Sequence, residues 1–184
     1  MKVFRVIIFL FAALCGLAFL LPKEVAVTRT VEVDATQEMV FDQVNTLSNW
    51  ENGSVWNQVD SAAVYTYSEQ NSGKNAWYTW EGELVGKGKL TIIESIENRT
   101  IKTELDFYER GKGSGQWKFT QKNRKTEVSW TYFADLGYNP LARWVGLTLD
   151  SMLGSSLEMS LQNLSDYCKK QDDENQNQIE FVMK

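Results

Sequence analysis

The chain has 184 residues, which suits one domain with short appendages. Its formal net charge is -5, and all of the excess acid lies after residue 21, because the only charges before that point are Lys2 and Arg5. An acidic domain repels phosphate backbones, so no nucleic acid is expected as a partner. There is no histidine, which removes the commonest general base and the commonest metal ligand.

An uncharged apolar run occupies residues 6–21. As a helix it would span roughly 24 Å, slightly less than a hydrocarbon core of about 30 Å. The residues after it offer no small-residue cleavage site, so an uncleaved transmembrane anchor over 1–21 is favoured, with a signal peptide as the alternative. Because Lys2 and Arg5 precede the run, the protein is expected to be single-pass with its domain on the periplasmic or other extracytoplasmic side, or secreted or periplasmic if cleaved.

The first elements of the domain follow directly. Alternating apolar and polar residues over 25–33 predict a strand. A short amphipathic helix is predicted over 37–47, after Thr36 as cap, because apolar residues recur there at helical spacing (Val40, Phe41, Val44 and Leu47).

The centre of the chain reads almost entirely as strand and turn. Short links between consecutive strands predict antiparallel hairpins with one apolar face and one polar face. Two glycines in the longest strand, Gly86 and Gly88, indicate a bulge or bend. The predicted strands cover residues 62–68, 75–81, 84–96, 100–109, 115–121 and 126–135.

A long amphipathic helix is predicted to begin near Pro140 and to run for about 30 residues, because its apolar stripe keeps the helical period. The small residues Gly154, Ser155 and Ser156 in its middle fit two interpretations, close contact with the sheet or room for a ligand. The polar residues of 171–184 predict a disordered tail, so the domain is assigned to 22–170.

These elements in this order resemble the START-like, polyketide cyclase/dehydrase and lipid-transport superfamily, also called SRPBCC, in its membrane-anchored form. The resemblance covers about residues 25–170. It implies an α+β helix-grip fold, in which a curved antiparallel sheet of six to seven strands wraps around a long C-terminal helix, here after an N-terminal transmembrane helix. The stretches that carry the resemblance are VEVDA (31–35), VF (40–41), SNW (48–50), VWN (55–57), WEG (80–82), GKG (86–88) and DLGYNPLAR (135–143).

For function, the resemblance implies a cavity between sheet and helix that binds a hydrophobic small molecule or lipid. Two alternatives stay open, namely a cyclase or dehydratase on the same fold and a protein-interaction module that assists an envelope protein. The membrane is expected as a further partner through the N-terminal helix. The predicted cavity lining consists of Trp80, Leu105, Phe107, Trp117, Phe119, Trp130, Tyr132, Leu149 and Met152.

No sequence motif for catalysis, phosphate binding or metal binding is present, so binding without chemistry is favoured, with no catalytic residue, metal or cofactor expected. Glu81 could be a buried acid, but alternation puts it opposite Trp80 and favours solvent exposure. Arg143 and Asp150 could anchor a polar head group, although ordinary surface positions are favoured. No disulfide is expected between the two cysteines, one in the apolar run and one near the C-terminus.

Overall fold

The computed structural model describes residues 2–52, 55 and 59–182. Seven antiparallel strands form one sheet in the order β1-β7-β6-β5-β4-β3-β2. The strands are β1 (Glu24–Val33), β2 (Val64–Tyr67), β3 (Trp77–Gly82), β4 (Gly86–Ile96), β5 (Thr100–Asp106), β6 (Lys112–Lys122) and β7 (Lys125–Asp135). The helices are α1 (Lys2–Ala18), α2 (Gln37–Asn45), α3 (Pro140–Gly146) and α4 (Leu149–Val182), with 3₁₀ turns at Leu47–Asn52 and Tyr108–Arg110.

The sheet confirms the predicted antiparallel hairpins, and β1 returns to pair with β7 along its whole length. The register irregularity of β4 is not at Gly86 or Gly88. It lies between Ile92 and Glu94, where the register with β5 shifts. The α+β helix-grip prediction is confirmed, with a curved seven-stranded sheet and a long C-terminal helix.

The hydrophobic core lies between one half of the sheet, α2 and the middle of α4. Thr36 caps α2 by accepting the backbone N–H of Met39. Phe41 of α2 meets Phe119 of β6 edge to face, with ring centroids 5.4 Å apart. Leu161, Leu164 and Cys168 of α4 complete this core.

The sequence predicts one long helix here, but the structure has two, because the first helix ends at Gly146 and the second begins at Leu149. Gly146 lies so close to the strand end that a Cβ there would be 2.4 Å from Cδ1 of Leu136. The Thr148 side-chain hydroxyl then donates to the carbonyl of Val145 at 2.8 Å and competes with continued helical bonding.

At its other end α4 runs past Lys170, where the polar composition predicts a disordered tail, and reaches Val182. Side chains one turn apart support the extension, since Gln176 Nε2 donates to Asp172 Oδ2 at 2.6 Å and the Lys170 ammonium lies 3.9 Å from Glu174. The domain boundaries themselves stay a prediction. The residues 56–57 quoted for the resemblance lie outside the described residues.

The N-terminal helix α1 corrects one prediction. Among the described residues, no helix is both long enough and apolar enough to cross a membrane. The helical residues end at Ala18, and the amides of Phe19, Leu20 and Leu21 bond three residues back as turns. The helical part of the apolar run is therefore shorter than the sequence predicts.

The C-terminal end of α1 is fastened to the domain by Arg143, which is 6% exposed. Its Nη1 faces the carbonyls of Ala18, Phe19 and Leu21 at 3.4, 3.2 and 3.2 Å, and its Nε donates to Gly137 O at 2.9 Å. A guanidinium at these carbonyls complements the negative end of the helix dipole. Arg143 therefore belongs to the α1 junction, and the surface position that the sequence favours for it is wrong, because its guanidinium is buried against backbone carbonyls.

Candidate functional site

A cavity of about 330 Å³ lies between the inner face of the sheet and α4. This volume falls within the range of small-molecule sites. Its floor comes from strands β2 to β7, and its roof comes from α4 and the segment around Trp50. The described lining residues are Gln43, Val44, Asn49, Trp50, Val59, Tyr65, Tyr78, Trp80, Leu84, Val85, Leu90, Thr103, Leu105, Phe107, Trp117, Trp130, Tyr132, Leu153, Leu157, Ser160, Leu164 and Tyr167.

The cavity exists because side-chain volume is unevenly distributed along the strands. Toward one end of the sheet the inner face carries large buried side chains such as Ile101, Phe119 and Val128. Toward the other end β6 presents only Gly113 and Gly115 to the interior. The core fills the first half, and the space between sheet and helix stays open above the second.

Aromatic rings form the wall between these two halves. Trp117 and Trp130 face each other directly across β6 and β7 and stack with centroids 4.2 Å apart and planes 14° apart. Trp50 meets both edge-on, at 5.7 and 6.4 Å. Its indole Nε1 donates to Val44 O at 2.8 Å, which anchors the ring to the end of α2.

The ring chain continues along the wall. Tyr78 lies 6.2 Å from Trp50 and 5.8 Å from Trp80, and Trp80 lies 5.8 Å from Phe107. Tyr65 also contacts Tyr78, with centroids 6.0 Å apart. The cavity is thus bounded by polarisable ring surface, which favours apolar contact over hydrogen bonding.

The cavity is electrically neutral. None of its described lining residues carries a formal charge. Burial raises the pKa of the Tyr78 and Tyr132 phenols above the usual value near 10, so both remain neutral hydroxyls at physiological pH. The other hydroxyls of the described lining belong to Tyr65, Thr103, Ser160 and Tyr167, of which Thr103 and Ser160 are buried. In the described lining a ligand would find a few neutral donors and acceptors, and no ion-pairing partner.

The cavity opens to solvent beside the β3–β4 turn, where Val59 and Leu84 both line it and remain exposed, Leu84 by 72%. The buried Asp60 carboxylate organises this turn. Its Oδ2 accepts the backbone N–H groups of Leu84 at 2.8 Å and Val85 at 3.4 Å. These hydrogen bonds lower the pKa of Asp60, so its charge helps to hold the mouth of the cavity.

Of the nine residues predicted to line a cavity, the structure brings six together: Trp80, Leu105, Phe107, Trp117, Trp130 and Tyr132. Three lie elsewhere. Phe119 is in the closed core against Phe41. Leu149 is at the start of α4 and does not reach the cavity, and Met152 is 60% exposed while its neighbour Leu153 faces inward.

Several lining residues escaped the sequence prediction. Tyr78 could have been found, because alternation puts it on the same face as Trp80. Leu153, Leu157 and Leu164 belong to the predicted apolar stripe of the long helix, but a stripe alone does not separate residues that line a cavity from residues that pack in the core. Trp50 lies in an irregular segment, where periodicity carries no signal.

Two other sequence hypotheses are resolved by position. Glu81 is on the outer face of β3 and forms an exposed ion pair with Lys87, as its alternation with Trp80 predicts.

Gly154 lies against Arg29 of β1, where a Cβ would be 1.9 Å from Arg29 Nη2. Arg29 in turn binds both carboxylate oxygens of Asp150, at 2.9 and 3.2 Å. Gly154 therefore serves close contact between helix and sheet, and it does not line the cavity.

Comparison with known proteins identifies the family. The family profile described as polyketide cyclase/dehydrase and lipid transport matches residues 24–169, which contain all seven strands and the part of α4 that covers the sheet. The chain belongs to this family. The superfamily resemblance is thus confirmed, and its membrane-anchored form is not supported. No curated protein sequence matches the chain.

Solved structures share the fold at low sequence identity. Protein SA2116 of Staphylococcus aureus, of unknown function, is 8% identical with a TM-score of 0.60, over 81% of this chain and 97% of that one. Ms6760 of Mycobacterium smegmatis is 13% identical with a TM-score of 0.55, over 80% and 92%. The di-domain ARO/CYC protein StfQ, from steffimycin biosynthesis, is 10% identical with a TM-score of 0.58, over 80% and 51%. At these identities the similarity establishes the fold alone.

Proposed function

We propose that this domain binds an uncharged hydrophobic small molecule or lipid between its sheet and α4, without carrying out chemistry on it. The observation that carries the proposal is the open, ring-walled cavity whose described lining holds no charge. Membership of a family that includes lipid-transport proteins supports it.

Apolar burial would supply the affinity. Each 100 Å² of ligand surface removed from water contributes about 2.5 kcal/mol, or roughly 70-fold in affinity, before the costs of association. A charged ligand group would lose its hydration in this cavity with no counter-charge in the described lining to replace it. Neutral ligands are therefore favoured over fatty-acid anions or phosphorylated lipids that insert head first.

A cyclase or dehydratase is the second candidate, because the family includes such enzymes. Catalysis of this kind calls for a group that moves a proton at the ligand. The polar groups in the described lining are hydroxyls, amides and indole N–H groups, including those of Thr103, Ser160, Gln43 and Asn49. The raised pKa of Tyr78 and Tyr132 makes these phenols weaker acids, which favours binding over acid catalysis.

The third alternative, an interaction module, predicts a filled core, and the cavity argues against it. Contact with a membrane through the N-terminal helix and an extracytoplasmic location stay predictions. What supports membrane contact is that apolar side chains of α1, such as Phe4, Phe9 and Leu10, are more than half exposed, while Lys2 and Arg5 stand at its start.

The ligand proposal is tested by titration with the uncharged fluorophore N-phenyl-1-naphthylamine, comparing two neighbouring variants of α4. Leu153→Trp places a ring inside the cavity, whereas Met152→Trp places the same ring in solvent. We expect saturable binding by the wild type, at least tenfold weaker binding by Leu153→Trp, and unchanged binding by Met152→Trp. Equal binding by both variants, or no binding by the folded wild type, would contradict the proposal.

A further inference from the structure

Three glycines stand on the inner face of the sheet where the cavity is open: Gly88 in β4, and Gly113 and Gly115 in β6. None of them is among the residues with positive φ. Their backbone conformation is therefore available to any residue. A glycine inside a strand is less favourable than alanine, so the backbone gives no reason for glycine here.

The reason is space, and Gly88 shows it most clearly. It pairs directly with Trp80 of the neighbouring strand β3. A Cβ at position 88 would lie 2.1, 2.4 and 2.7 Å from the Cζ2, Cη2 and Cε2 atoms of Trp80. These distances are far inside van der Waals contact, so the indole lies directly against the glycine backbone. The ring therefore leaves the space between the sheet and α4 open.

The two glycines of β6 repeat the arrangement. A Cβ at Gly113 would lie 2.5 Å from the hydroxyl oxygen and 2.8 Å from Cζ of Tyr132. A Cβ at Gly115 would lie 2.5 Å from Oγ1 of Thr103, the residue directly opposite it on β5. In each case a side chain that lines the cavity occupies the volume that a larger residue on β6 would fill.

We infer that Gly88, Gly113 and Gly115 determine the depth of the cavity, and with it the size of the ligand that the domain accepts. Each glycine lets one lining side chain lie against the sheet. A larger residue would displace that side chain toward α4, because the sheet itself closes the other direction. The inference rests on the proposed function, since it names the residues that set the size limit of the same site.

The test uses Gly88→Ala and two uncharged probes of different size, N-phenyl-1-naphthylamine and naphthalene. Displacement of the Trp80 ring should weaken binding of the larger probe at least tenfold while changing that of the smaller one less than threefold. A loss of stability alone would reduce both alike, so the split between the probes separates a size limit from a structural defect. Ser114→Val, on the outer face between the two β6 glycines, is the control and should bind both probes as the wild type does.

A second variant covers the case in which Gly88→Ala does not fold. Gly88→Ala combined with Trp80→Leu removes the colliding ring and should restore folding and binding of the larger probe. A folded double variant that still rejects the larger probe would overturn the inference, as would a Gly88→Ala crystal structure with the Trp80 ring unmoved. If the wild type binds neither probe, the proposed function fails, and that crystal structure still decides whether Gly88 positions the ring.

Discussion

Replacing Arg143 with methionine should release the N-terminal helix from the domain. Methionine keeps much of the buried apolar stem but removes a guanidinium that lies 2.9–3.4 Å from four backbone carbonyls, three of them at the end of α1. Nη1 carries two N–H groups, so at about 1 kcal/mol net for each hydrogen bond it contributes about 2 kcal/mol to the attachment of α1. Trp144, whose indole donates to Leu14 O at 3.2 Å, would remain as an attachment.

The loss should be local, because α1 packs on α3 and not on the ligand cavity. Hydrogen exchange measured by mass spectrometry on peptides covering residues 14–21 should accelerate by up to about 30-fold, the factor that corresponds to about 2 kcal/mol. Exchange in β5 and β6 should change little. Arg124→Met, at an exposed hairpin turn, is the control for loss of a surface arginine and should leave both regions unchanged.

Hydrogen exchange of residues 14–21 at the wild-type rate in Arg143→Met would contradict this prediction. So would an exchange rate of β5 that rises as much as that of α1, because Arg143 would then stabilise the whole domain and not the junction. Adding Trp144→Phe should accelerate exchange in α1 further, since it removes the remaining side-chain bond to Leu14.

Two further predictions concern the mouth of the cavity and the surface of α1. The lowered pKa of Asp60 means that its contribution to stability is complete above the unfolded pKa of about 3.9 and is lost as the pH falls through the lower folded pKa. Asp60→Asn should therefore melt below the wild type at pH 7 and approach it near pH 2, and a gap that does not depend on pH would contradict this. The full chain should co-sediment with phosphatidylcholine vesicles, and Phe4→Ser with Leu10→Ser should reduce the bound fraction several-fold. Equal sedimentation of the wild type and the double variant would show that α1 does not contact the lipid.

The sheet could be predicted from the sequence because alternation of apolar and polar residues indicates both that a segment is a strand and which of its faces is buried. Alternation alone correctly placed Trp117, Trp130 and Tyr132 on the inner face, and the structure brings all three to the cavity. The order from β2 to β7 also followed, since short turns favour neighbouring antiparallel pairs, whereas the pairing of β1 with β7 did not follow from the sequence.

The helix side of the site could not be predicted in the same way. The predicted apolar stripe includes Leu149 and Met152, but the helix is interrupted between Gly146 and Leu149, Met152 is 60% exposed, and Leu153 is the first residue of α4 that lines the cavity. The break depends on the tertiary contact between Gly146 and Leu136, which no local pattern reveals. The distinction between core and cavity could not be predicted either. It depends on which glycines lie opposite which rings on neighbouring strands, and the sequence alone does not give the register in which the strands pair.

The central claim is that the cavity holds an uncharged apolar ligand. Native mass spectrometry of the full-length protein, purified without added lipid, tests it most directly, with the released molecules identified in a second analysis. We predict a bound species of stoichiometry one that extracts into organic solvent, carries no ionisable group, and is lost in Leu153→Trp but kept in Met152→Trp. A wild-type protein that carries no small molecule, and whose melting temperature does not change across a panel of neutral lipids, would contradict the claim.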